Sequence, residues 1–166
     1  MAVATDGGFE SWYRREHARL VPALLLVTGD LDTATEAADE AFARALARWD
    51  RVGRMESPNG WTYRVALNVL RRRARRERLE QRLLLRQPRV SAVPAPAGEA
   101  WAAVRELPDR QRTAVVLRFV ADLTEEQIAT VMGVTRSTVS SALADARRTL
   151  GRVLADDPEP LEARHV

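Results

Sequence analysis

The 166-residue chain contains no cysteine, which excludes disulfide bonds, thiolate zinc sites and cysteine nucleophiles. It contains no lysine either, so all 26 basic residues are arginine. Histidine is confined to His17 and His165, the latter beside the terminus; His17 reads as a surface or core residue rather than a ligand. No phosphate-cradling glycine loop, metal-ligand spacing or nucleophile elbow is present. The expectation is therefore a protein without metal or cofactor, and not an enzyme. No apolar run approaches the roughly 18 residues that cross a bilayer. The first residues carry Asp6, Glu10 and Glu16 and no basic start before an apolar core, so they do not read as a signal peptide. A cytoplasmic protein with no membrane insertion is expected.

What the sequence does have is charge, 30% of residues, beside 46% hydrophobic residues. That balance allows one or two compact domains and excludes a disordered polyelectrolyte. The net charge is only +3, and its distribution is uneven. Residues 1–61 carry 7 Arg and 10 acids, residues 62–89 carry 10 Arg and 2 acids, and residues 99–166 carry 9 Arg and 11 acids. A single 28-residue stretch at +8 thus sits between two acidic flanks. Such blocks mark a polyanion-binding surface more often than a solvated face.

Residues 87–98, QPRVSAVPAPAG, hold three prolines and no periodic apolar pattern, and read as an extended linker. At about 3.3 Å per residue it reaches roughly 40 Å. The expected division is a domain over 1–86, the linker over 87–98, a second domain over 99–154, and a frayed tail over 155–166. Helical periodicity dominates both halves, so the expected fold class is all-α: two small helical domains joined by a Pro-rich linker. The periodicity predicts a first helix over 9–28 ending at Gly29-Asp30 and a second over 32–49. The second carries a stripe of small residues from Ala34 to Ala45, suited to close packing. A loop over 50–60 leads to a long third helix that starts near Pro58 or Trp61 and enters the basic block.

On that third helix Arg64, Asn68, Arg71 and Arg75 recur at four, three and four residues, which places them on one face. Trp61, Val65 and Val69, four apart, are expected to line a core-facing stripe. Arginine offers forked donors that grip phosphate in pairs and stack on bases. Asn68 adds a group that both donates and accepts, as base edges require. In the preceding loop, Arg51, Arg54, Met55, Ser57 and Asn59 combine charge, a soft apolar group and hydrogen-bonding groups. They would suit an unstacked base, and would equally suit an ordinary surface loop.

The second half holds a sharper signal. Thr124-Glu125-Glu126-Gln127 spells a capping box, and Ile128, Ala129 and Met132 follow at core spacing. Gly133 fits a left-handed turn position, and Val134 plugs the turn. Thr135 caps a further helix containing Val139, Leu143 and Ala146. This order describes a helix-turn-helix, with a plain helical hairpin as the alternative. Its second helix presents Arg136, Ser137, Thr138, Ser140 and Ser141 at its exposed start. A supporting helix over 107–120 follows Pro108, with Arg110 and Arg112 exposed near its beginning.

Taken in order, these segments resemble the extracytoplasmic-function sigma factors, the small promoter-specificity subunits of bacterial RNA polymerase. The matching residues are Gly29-Asp30, ATEAADEAFARALARW over 34–49, and Pro58-Asn59-Gly60-Trp61 leading to Arg64, Asn68 and Arg72-Arg73. In the second half they are LPDRQR over 107–112, Leu117-Arg118-Phe119, Leu123–Val139 and Ala146-Arg147. The resemblance spans residues 9–154 and implies core RNA polymerase and promoter DNA as partners, with an anti-sigma factor as a further one. It implies that Glu36, Asp39 and Glu40 of the second helix dock on the polymerase. Arg51, Arg54, Asn59, Trp61, Arg64, Asn68, Arg71, Arg72 and Arg75 would open and hold the −10 element. Arg110, Arg112, Thr135, Arg136, Ser137, Thr138, Ser140 and Ser141 would bind the −35 element, and the linker would occupy the RNA exit path.

The chain departs from the family in places: Asp39 stands where glutamine is usual and Arg72 where aspartate is common. The recognition helix has Ser137 in place of glycine, and Ser140, Ala142 and Asp145 where the family is basic. Because phosphate neutralisation dominates affinity, −35 binding is expected to be weak. The competing reading is an autonomous helix-turn-helix regulator that binds duplex DNA without polymerase.

Overall fold

The computed structural model describes residues 6–84 and 99–155, all of whose regular structure is helical. The expected linker over 87–98 lies outside the described residues, as does the tail apart from Ala155. Eight helices follow in order: α1 (Asp6–Thr28), α2 (Leu31–Leu46), α3 (Trp49–Val52), α4 (Pro58–Leu84), α5 (Glu99–Arg105), α6 (Asp109–Phe119), α7 (Glu125–Met132) and α8 (Arg136–Ala155).

Helix α2 is the keel of the first half and packs against both α1 and α4. Asp30 caps it, its carboxylate accepting the Thr33 amide at 3.0 Å, which satisfies an otherwise unpaired first-turn donor. Ala34, Ala37, Ala38, Ala41 and Ala45 are at most 1% exposed, so the small-residue stripe is the packed face. Without side chains beyond Cβ, it lets the neighbouring backbones approach closely. Leu20 and Leu24 of α1 are buried beside it, each contributing roughly 1.5–3 kcal/mol through removal from water. An aromatic cluster closes one end: Trp12 lies 4.7 Å from Trp49 and 5.5 Å from Phe42 between ring centroids. His17 belongs to this cluster, 5.8 Å from Phe42 and 5.3 Å from Tyr13.

Helix α2 stops earlier than periodicity predicts. Its capping residue is Ala47, Arg48 leaves helical geometry at φ −129°, and Trp49 opens the separate short α3. The break turns Trp49 back onto the α1 aromatics. Helix α4 begins at Pro58, the earlier of the two expected starts, so the loop ahead of it is short. Proline suits the first helical turn, where its missing N–H has no partner to lose. Ser57 supplies the start, its hydroxyl accepting the Gly60 amide at 3.0 Å and its carbonyl the Trp61 amide at 3.1 Å.

The buried face of α4 differs from the expected one. Thr62, Tyr63, Ala66 and Leu67 are buried, whereas Trp61, Val65 and Val69 are half-buried. Counted at about 100° per residue, Trp61 and Val65 fall on the same side as Arg64 and Asn68, not opposite them. The buried Thr62 hydroxyl donates to the Pro58 carbonyl at 2.9 Å, so a polar residue satisfies itself inside the packed face.

In the second half, α5 is an element that periodicity did not reveal, and the supporting helix α6 is a residue or two shorter at each end than expected. Leu107, Val116, Leu117, Ile128, Val139 and Leu143 form its fully buried centre. Thr124 makes both bonds of the capping box with Gln127, at 2.9 and 3.3 Å. Gly133 ends α7 at φ 69°, ψ 38°, a left-handed geometry that costs a side-chain-bearing residue about 1 kcal/mol or more. The two halves touch through α4 with α7 and through α1 with α5 and α6. Among the described residues no helix is long and apolar enough to cross a membrane.

Candidate nucleic-acid interface

The outward arc of α4 carries Trp61, Arg64, Val65, Asn68, Arg72 and Arg75, of which the three arginines are exposed. An indole flanked by guanidinium groups, with an amide one turn on, can stack on a base and grip phosphate on either side. Arg71 sits at the edge of this arc and is already engaged. It donates to Asn68 Oδ1 at 3.2 Å and to the Met132 carbonyl of α7 at 2.9 Å. Arg73, on the opposite side of α4, pairs with Glu77 at 2.9 Å and with Glu36 of α2. The hydrogen bond it donates to Glu77 is the main reason its guanidinium holds its proton more tightly than usual.

The loop ahead of α4 divides its side chains between two directions. Arg51, Arg54 and Glu56 are exposed. Met55 packs on the core, Ser57 is the helix cap, and Asn59 Oδ1 accepts the buried Trp12 indole N–H at 2.9 Å. A Cβ on Gly60 would stand 2.8 Å from the Ser57 hydroxyl, so a side chain there would push the capping group aside. Three of the five expected base-holding residues therefore anchor the loop, leaving Arg51 and Arg54 outward. Glu56, which the sequence did not single out, is exposed beside them.

On α2, Asp39 is exposed and Glu40 pairs with Arg44 at 2.6 Å, while Glu36 is held by Arg73. The acidic face is real, though two of its three members already have arginine partners.

In the helix-turn-helix, Arg136, Ser137, Ser140 and Ser141 are exposed at the start of α8, with Thr138 half-buried beside them. Thr135 is the cap: its hydroxyl accepts the Thr138 amide at 3.2 Å and lies within 3 Å of the Ser137 and Thr138 hydroxyls. Arg136 lies 3.3 Å from Glu126 and 3.6 Å from Glu125, so its charge is partly spent within the motif. Arg110 is exposed as expected. Arg112 is not: it folds inward, donating to the carbonyls of Arg105 and Leu107 at 2.8 and 3.3 Å and pairing with Asp109 at 2.6 Å. The first ends α5, the second lies in the turn before α6, and both would otherwise lack partners. Arg118 does similar work at the next corner, donating to the Leu123 carbonyl at 3.0 Å.

These features define a two-part helical nucleic-acid-binding protein, an arginine-and-tryptophan helix face joined to a helix-turn-helix. A family profile for sigma-70, region 4, matches residues 97–150, which takes in α5 to the middle of α8. Over 162 residues the chain is 30% identical to an RNA polymerase sigma-E factor of Streptomyces avermitilis, covering 94% of this chain and 86% of that one. The fold is similar to that of the sigma factor RpoE of Bartonella quintana, solved in complex with the anti-sigma factor NepR. The TM-score is 0.74 at 20% identity, over 90% of this chain and 98% of that one. The chain belongs to the extracytoplasmic-function sigma factors.

Proposed function

We propose that the chain acts as a dissociable specificity subunit, directing core RNA polymerase to particular promoters and assisting their opening. In this reading residues 1–86 serve polymerase docking and the −10 element, residues 99–154 the −35 element, and 87–98 connect them. The observation that carries it is the arc Trp61, Arg64, Asn68, Arg72 and Arg75, joined in one chain to a helix-turn-helix. An autonomous duplex-binding regulator has no use for the first of these surfaces. Arg51, Arg54 and Glu56 would flank a displaced base, and Trp61 would stack at the junction of duplex and single strand. Asp39, Glu36 and Glu40 would face a basic surface of the polymerase.

The protein's contribution is binding and positioning of nucleic acid, with bond-making left to the polymerase; its site of action would be the cytoplasm. An anti-sigma factor is a further proposed partner, supported by the complex in which the Bartonella protein was solved. Run-off transcription with core polymerase on genomic fragments is the test. Discrete transcripts that depend on this chain are expected. Duplex binding by the chain alone, with no core complex at micromolar concentration, would establish the regulator instead.

A further inference from the structure

The exposed start of the recognition helix carries a single long side chain, and that side chain is held from the neighbouring helix. We propose, resting on the promoter reading above, that Arg136 reads a guanine in the major groove. Glu125 and Glu126 are the positioning residues that make it a base reader instead of a phosphate contact.

From 136 to 146 the exposed positions are Arg136, Ser137, Ser140, Ser141 and Ala144, so Arg136 alone reaches beyond a hydroxymethyl group. It is the first residue of α8, and the opening residues of the second helix are the ones that meet base edges in this motif. Its neighbours in that turn are engaged with one another: the Ser137 and Thr138 hydroxyls lie 2.9 and 2.8 Å from the Thr135 hydroxyl. A guanidinium presents its N–H donors as a rigid planar fork. Guanine shows two acceptors side by side in the major groove, N7 and O6, whereas adenine sets an acceptor beside an amino donor. The fork of Arg136 matches the first pattern and opposes the second.

The acids decide which ligand the fork takes. Nη1 donates to Glu126 at 3.3 Å and Nε stands 3.6 Å from Glu125, and both acids belong to the first turn of α7. An exposed arginine without such partners is drawn to phosphate, a contact that carries no sequence information. Two carboxylates beside the guanidinium repel phosphate and favour one orientation of its plane. Among the described residues, Nη2 and the second N–H of Nη1 are left without a partner. Pairs this exposed add little stability; their effect is on what the guanidinium meets.

The test uses holoenzyme reconstituted from the full chain and core RNA polymerase, selecting from duplex DNA randomised across the promoter region. A guanine is expected at one position of the upstream element. Replacing it by adenine should weaken binding about tenfold, and 7-deazaguanine, which lacks only the N7 acceptor, should cost part of that. Arg136→Ala should abolish both effects. Glu125→Gln combined with Glu126→Gln should hold or raise affinity, because two negative charges leave the DNA side, while the guanine preference drops severalfold. Preference retained in that double variant would mean that the acids merely neutralise Arg136, and overturns the positioning role. A preference that survives Arg136→Ala, or none in the unsubstituted protein, overturns the base reading. The 7-deazaguanine comparison needs no variant and so decides even if a substituted chain fails to fold. If the chain alone enriches a sequence and the holoenzyme does not, the promoter reading falls, and the same substitutions on that sequence judge Arg136. If neither enriches any sequence, both fall.

Discussion

At the scale of single residues, the protein uses arginine both to hold itself together and to meet its ligand. Arg112 caps the end of α5, Arg118 ties down the turn ahead of α7, Arg71 and Arg73 bridge elements, and Arg64, Arg72 and Arg75 remain free to face outward. The ion pair between Arg73 and Glu36 links the proposed polymerase surface to the basic helix, although pairs this exposed contribute only about 0–1 kcal/mol. Removing Glu36 should therefore cost little stability. Glu36→Gln is expected to lower stability by no more than about 1 kcal/mol, and by less again in an Arg73→Ala background. Equal losses in both backgrounds, measured by denaturant unfolding, would show that the pair carries no coupling.

Arg136 is the only exposed base in the first turn of α8, so Arg136→Ala should weaken −35 duplex binding more than alanine at Ser137, Ser140 or Ser141. The slope of log affinity against log salt should fall by about one. Tyr63 makes a different point. Its hydroxyl is buried without a partner, and burial, reinforced by Glu16 and opposed by Arg19, pushes its ionisation well above the usual tyrosine range. The folded state thus favours the neutral phenol. Stability from this source is complete below the unfolded value of 10.0 and is lost as pH rises above it. Tyr63→Phe should leave stability at pH 7 unchanged or improve it by about 1 kcal/mol. Denaturant unfolding at pH 7 and above pH 10 should also show that the variant loses less at high pH.

At the scale of elements, local rules carried the reading wherever the deciding interaction lies within one turn of helix. The Thr124–Gln127 capping box and the left-handed Gly133 are of that kind, and both stand where their residue types put them. Thr124→Ala is expected to cost about 1 kcal/mol through loss of the cap, read as a lower denaturant midpoint. The alanine stripe of α2 was legible for the same reason. Ala38→Leu, at a position with 0% exposure, should cost about 1–3 kcal/mol by overpacking, the largest stability effect of those proposed.

What stayed hidden depended on contacts distant in the chain or on a small rotation about an axis. The four-residue spacing of Trp61, Val65 and Val69 is equally compatible with either side of α4; only the packing of α2 selects Thr62, Tyr63, Ala66 and Leu67. Asn59 looks like a base reader by residue type, and its partner Trp12 is 47 positions away. Arg112 looks exposed after Pro108, yet the carbonyls it serves lie in the turn before α6 and at the end of α5, a helix too short to declare itself by periodicity. Of the proposed interface, the outward arginines of α4 and the start of α8 were readable. The inward turn of half the preceding loop was not.

At the scale of the whole molecule, two acidic and arginine-rich surfaces are brought together that a net charge of +3 conceals. The hydrogen bond that Arg71 donates to the Met132 carbonyl at the end of α7 is a single charge-assisted contact beside a polar cleft, and between separate molecules it would be negligible. It does not act between separate molecules. Only 14 residues connect the end of α4 to the start of α5, and a short tether holds its two ends at an effective concentration in the millimolar range. A contact too weak to join two molecules can then hold two halves of one. The connecting segment sets this balance through its length as much as the contact does through its strength. Inserting flexible residues there would dilute one half in the presence of the other, opening the molecule without touching a single residue of either surface.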